Sequence, residues 1–187
     1  MTVELLAAAV IDACEAEGVK HMLTGAFAFN LYGIPRATKD VDVVLSMEGG
    51  VPMERVIARL DPLVEFNAQI QFDTLTWGRR QVGVSRQSSP VKVELFELFD
   101  APFVLSQFER RRKLLSKQID RTVWVPTAED VIVQKLRWGR SKDLNDARDV
   151  LAVQGPETLD MGYIGEWCAR HGTTARLQEA LAGIPPL

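Results

Sequence analysis

An α+β fold is predicted from three observations. Strand-like runs concentrate between Val19 and Leu98, helix-period runs take over after about Thr127, and neither a composition shift nor an internal repeat separates the two stretches. The organisation expected is residues 1–126 as a catalytic half and residues 127–187 as a C-terminal helical half packed on it as one compact unit. At 187 residues, with 47% hydrophobic content, the chain has enough apolar material for its own core.

In order along the chain, Leu5, Leu6, Ala9, Val10, Ala13 and Ala16 fall at helical spacing and end at Gly18. Val19 to Leu23 reads as a short strand, and Ala26 to Tyr32 as a helix that opens at Gly25 and stops at Gly33. Asp40 to Leu45 is a strand. Gly49, Gly50 and Pro52 mark a loop before a helix from Met53 to Leu60. Phe66 to Phe72, Leu75 to Trp77 and Arg80 to Ser85 are expected as short strands. Ser88-Ser89-Pro90 breaks the chain before the strongest strand signal, Val91 to Leu98. Thr122 to Pro126 is a last strand, and Thr127 caps a helix with Glu129 and Asp130 in its first turn. Asp143 to Ala152, Asp160 to Arg170 and Thr174 to Ala182 complete the helices, the last stopped by Gly183 and Pro185-Pro186.

The chemistry concentrates between Thr24 and Val44. A helix that begins at a glycine leaves unpaired N–H groups and lets an anion approach the backbone, so Gly25 and Ala26 form a candidate phosphate site. Asp40 and Asp42, two apart on a strand, share one face and make a hard oxygen pair suited to Mg²⁺, with Mn²⁺ as its substitute. Twelve Asp in the chain give about 0.8 Asp-x-Asp pairs by chance, so the surrounding strand-glycine-helix unit is what carries the argument.

The order strand, Gly25-Ala26, helix, Arg36-x-Thr38-x-Asp40-Val41-Asp42 resembles the first motif of the nucleotidyltransferase superfamily that includes DNA polymerase beta. It is most similar to small bacterial nucleotidyltransferase-like proteins related to the toxins of abortive-infection, type IV toxin–antitoxin systems. The resemblance implies a mixed sheet flanked by helices and transfer of a nucleoside monophosphate from an NTP to an acceptor hydroxyl. The acceptor would be RNA or protein, and a cognate antitoxin would be a partner. Those proteins usually carry Ser or Gly where this chain has Ala26, which leaves the phosphate contact to the backbone.

The resemblance also implies a third carboxylate, as metal ligand or base, which falls on Glu94. Parity sets Glu94 with Lys92 and Phe96 on one face, and Glu97 with Val93 and Leu95 on the other. Related toxins show a Lys, a basic segment, and then a basic residue followed by Asp-x-x-Asp. Here that pattern reads Lys135, Arg140-Ser141-Lys142, Asp143 and Asp146. Lys135 falls beside an apolar stripe of its helix and needs an anionic partner, and the resemblance makes it a contact to the triphosphate, with the aspartate pair orienting it or the nucleotide. Arg36 and Thr38 would touch the triphosphate or order the loop. Two other readings stay open: a small-molecule nucleotidyltransferase of the aminoglycoside type, and a non-catalytic nucleotide-binding or interaction protein.

A net charge of −3 argues against nucleic-acid binding through a global positive field, so an RNA contact would rest on local clusters such as Arg79-Arg80 or Arg110 to Lys113, the latter expected as a solvated helix face. Cys14 and Cys168 have no metal-type spacing and read as reduced packing residues, and His21 and His171 are isolated. With no basic n-region and no apolar run of the ~18 residues a membrane span needs, the expectation is a cytoplasmic protein with no membrane partner.

Overall fold

The computed structural model describes residues 1–48, 53–73, 78–87 and 90–184. The loop expected at Gly49, Gly50 and Pro52, the strand at Leu75 to Trp77, the break at Ser88-Ser89 and the stop at Pro185-Pro186 lie outside the described residues. The chain packs as two units, one of Met1–Phe27 with Ala37–Val125, the other of Ala28–Arg36 with Pro126–Leu187.

The first unit is built on a mixed sheet. Its strands are β1 (His21–Leu23), β2 (Asp40–Leu45), β3 (Val64–Phe66), β4 (Gln71–Asp73), β5 (Gly78–Ser85) and β6 (Lys92–Glu97). They run in the order β1-β2-β6-β5-β3, with β4 also on β5; β2 and β6 pair in parallel and the other pairs are antiparallel. The parallel pair sets Asp40 beside Lys92 and Asp42 beside Glu94. Alternation along β2 buries Val41, Val43 and Leu45 completely and leaves Asp40 and Asp42 half-buried on the other face. Helix α1 (Val3–Ala16) starts where the Thr2 hydroxyl accepts from the Leu5 N–H at 3.3 Å, a cap worth about 1 kcal/mol. It buries Leu6, Val10, Ile11 and Cys14 and packs on α3 (Met53–Leu60), where Arg55 and Arg59 both pair with Glu17.

Two expectations are corrected in this unit. Phe66 to Phe72 is not one strand: the Asn67 side chain accepts from the Gln69 N–H at 3.0 Å, an Asx turn that separates β3 from β4. Arg110 to Lys113 is not a helix face, because α4 (Pro102–Glu109) ends before it and Arg112 opens β7 (Arg112–Ser116), which forms a separate hairpin with β8 (Arg121–Val125). Arg111 stacks on Phe108 and Trp124, its guanidinium 4.0 and 5.1 Å from the ring centres.

The second unit takes the last turns of α2 (Gly25–Tyr32) together with α5 (Ala128–Trp138), α6 (Ser141–Gln154), α7 (Met161–His171) and α8 (Thr174–Ala182). Thr127 caps α5 by accepting from the Asp130 N–H at 3.3 Å. Its hydroxyl also donates to Asp130 at 2.8 Å, and Tyr163 donates to the other Asp130 oxygen at 2.6 Å. At its other end, α5 stops at Gly139 with φ +67°, where Arg176 donates to the Leu136 and Arg137 carbonyls. Phe29, Ile132, Leu136, Leu151 and Ile164 are fully buried. No helix among the described residues is long and apolar enough to cross a membrane.

Candidate active site

The first unit gathers Gly25, Asp40, Asp42 and Glu94. Gly25 has φ +61°, a left-handed conformation that glycine adopts without strain, and it hands β1 to α2. A Cβ built there would lie 2.0 Å from Asp42 Oδ2, so the carboxylate packs directly against the bare backbone at the helix start. The same junction is tied by the Thr24 N–H, which donates to the Asp42 carbonyl at 2.8 Å. Gly25→Ala therefore combines a left-handed penalty of about 1–2 kcal/mol with a clash against the carboxylate. Its melting temperature is expected to fall, and its affinity for Mn²⁺ with it, which calorimetry measures together.

Thr38 orders the entry to β2: its hydroxyl accepts from the Asp40 N–H at 3.2 Å and faces the Asp40 carbonyl at 3.3 Å. Ala26 is half-buried in the first turn of α2.

Glu94 stands beside Asp42 but has both oxygens engaged. Oε2 accepts from Arg80 Nη1 at 2.6 Å, Oε1 lies 2.5 Å from Lys92 Nζ, and the side chain is 8% exposed. Lys92 Nζ also reaches Asp40 Oδ1 at 3.5 Å, and Arg80 reaches Asp73 at 3.4 Å. Burial draws the Lys92 pKa down, but the hydrogen bond and charge of Glu94, together with Asp40, outweigh it and hold the pKa above the ordinary lysine value. The parity expected along β6 is present: Glu97 turns to Arg79 instead, at 3.8 Å. The pairing of Lys92 and Arg80 with Glu94 was not read from the sequence. Lys92 was legible, since a residue two before Glu94 on a strand shares its face; Arg80 required knowing that β5 pairs with β6.

Asp40 and Asp42 fit Mg²⁺, which takes one or two protein carboxylates and completes its shell with phosphate oxygens and water. Both Glu94 oxygens are held by cations, and no group of three His, Cys, Asp or Glu side chains is gathered for a metal among the described residues.

The second unit brings Arg36, Lys135, Asp143 and Asp146 together. Lys135 Nζ lies 2.6 Å from Asp146 Oδ2 and 3.3 Å from Asp143 Oδ1, and its side chain is 6% exposed. Arg36 donates to Asp146 at 3.0 Å, and Arg140 donates to Asp143 at 2.5 and 3.2 Å. The ammonium also stands 5.2 Å from Trp138 and 5.9 Å from Phe29. The loop bearing Arg36 is clamped by Asn30, which accepts from its N–H at 3.0 Å and donates to its carbonyl at 2.8 Å. Lys135 thus neutralises two buried carboxylates, a role that its position beside an apolar stripe foreshadowed.

Burial would raise the Asp143 carboxyl, but Arg140 and Lys135 outweigh it and hold the pKa below the ordinary 3.8. A carboxyl with a depressed folded pKa stabilises the fold above its unfolded value, and that stability is lost as the pH falls through the lower folded value. The melting temperature is therefore expected to be level in Asp143's contribution above about pH 4 and to fall below it, and Asp143→Asn is expected to flatten that acid limb.

Neither cysteine is reactive. Both are free and buried, and burial pushes the Cys14 thiol up to about 12. His21 and His171 have their pKa values lowered, chiefly by burial.

This architecture is the nucleotidyltransferase fold, a mixed sheet flanked by helices. No protein-family model matches the chain, and no curated protein matches it in sequence. Solved structures match its fold. The crystal structure of ANT(2'')-Ia in complex with adenylyl-2''-tobramycin aligns with a TM-score of 0.61 at 12% identity, covering 90% of this chain and 98% of that one. The solution structure of the same antibiotic-resistance factor aligns at 0.59 and 12%, over 94% and 93%. An antigenic nucleotidyltransferase-like protein from Paracoccidioides brasiliensis aligns at 0.52 and 18%, over 100% and 96%.

Proposed function

We propose that the protein transfers a nucleoside monophosphate from an NTP to an acceptor hydroxyl, with release of pyrophosphate. The observation that supports this reading is the placement of Asp40 and Asp42 on one sheet face, with Asp42 packed against the glycine that opens α2, inside a nucleotidyltransferase fold. Asp40 and Asp42 would hold Mg²⁺, which when bound neutralises phosphate oxygens as the α-phosphorus is attacked. The chain's own contribution is positioning. Gly25 and Ala26 offer bare backbone at a helix start to a phosphate oxygen, and the Thr38 turn fixes the direction in which Asp40 leaves the loop.

The acceptor we propose is a small polyhydroxylated molecule. Likeness to ANT(2'')-Ia over nearly the whole of both chains favours it, and the two arginines nearest to an RNA reading are already paired, Arg80 with Glu94 and Arg79 with Glu97. The test is to incubate the purified protein with each α-labelled NTP, Mg²⁺ and a total cell extract, then to fractionate the products. Label in the small-molecule fraction is expected. Label in RNA or protein would move the acceptor to a macromolecule and reopen the toxin reading with its cognate antitoxin.

A further inference from the structure

We propose that this site holds one divalent cation, on Asp40 and Asp42, and that the ammonium of Lys92 stands as a tethered cation in the place a second metal would take between Asp40 and Glu94. The inference rests on the nucleotidyl-transfer reading and departs from the two-metal arrangement in which Glu94 ligates. Two observations carry it. Lys92 Nζ is 2.5 Å from Glu94 Oε1 and 3.5 Å from Asp40 Oδ1, so its positive charge lies between the two carboxylates. The remaining Glu94 oxygen is held by Arg80 at 2.6 Å, so a cation arriving at Glu94 would have to displace two ion pairs around a side chain that is 8% exposed. A lysine on the strand is a tethered, permanent occupant, whereas Mg²⁺ gives up its waters reluctantly. Glu94 then acts as a positioning residue that aims Lys92.

The test counts bound Mn²⁺ by electron paramagnetic resonance on the whole chain with a non-hydrolysable NTP analogue. One Mn²⁺ per chain is expected for the native protein and for Lys92→Arg. Lys92→Ala, which releases Glu94 Oε1 and Asp40, is expected to bind two. Should Lys92→Ala fail to fold, Lys92→Gln keeps part of the stem and removes the charge. Two Mn²⁺ in the native protein would overturn the inference while leaving nucleotidyl transfer intact, and so would a count of one in folded Lys92→Ala or Lys92→Gln. No Mn²⁺ at all would overturn the underlying reading.

Discussion

Asp42→Asn is expected to reduce nucleotidyl transfer by more than about a hundredfold while leaving the protein folded. The loss of a group that merely supports a metal ligand costs ten- to a hundredfold, so removing a ligand's charge should cost more. The amide keeps the shape that packs against Gly25, where a Cβ would lie 2.0 Å from Oδ2, and so the strand–helix junction has no steric reason to rearrange. What it loses is the negative charge that, beside Asp40, makes the face attractive to a divalent cation. Steady-state rates with the preferred NTP, beside circular dichroism of the same sample, check both halves. A folded Asp42→Asn protein with native activity would favour a chain that keeps the fold for binding alone.

Lys135→Met has the second large effect, and it falls on stability. From the sequence, a methionine should preserve the apolar stem and leave packing intact. The structure changes that expectation, because the ammonium lies between Asp143, with no exposed side-chain surface, and Asp146 at 7% exposure. Removing one partner of a buried ion pair costs about 3–5 kcal/mol. Arg140 on Asp143 and Arg36 on Asp146 remain as counter-charges, so the lower end, about 3 kcal/mol, is expected. That corresponds to a fall in melting temperature of about 10 °C for a protein of this length. Lys135→Met with Asp146→Asn should recover part of the loss, since the second change removes one stranded charge. An unchanged melting temperature in Lys135→Met would show that the two aspartates do not depend on the ammonium.

The sequence was most legible where a single period governed a whole element. Helices α3 and α8 and strand β2 fall at the expected residues because each has one buried face and clear ends. Alternation set Asp40 with Asp42 within one strand and Glu94 apart from Glu97 within another; only the β2–β6 pairing sets Glu94 beside Asp42. Local turn chemistry was harder to see. The Asn67 side chain accepts from the Gln69 N–H in a turn that separates β3 from β4. Helix α4 went unread although Pro102 sits at its first position, a favoured start, because Phe103, Gln107 and Phe108 give too short a stripe to show a period. The partners of Glu94 depended on strand order. Only the β5–β6 pairing brings Arg80 across to it, and that turns an expected metal ligand into the centre of a salt-bridge network.

Paired label experiments decide the reaction class. Purified protein is incubated with Mg²⁺ and acceptor extract, once with NTP labelled at the α-phosphorus and once at the γ-phosphorus. For nucleotidyl transfer, α-label is expected in the acceptor and γ-label in pyrophosphate, both abolished by Asp42→Asn. Label from the γ-phosphorus in the acceptor, or no transfer of either label with any of the four NTPs, would contradict it.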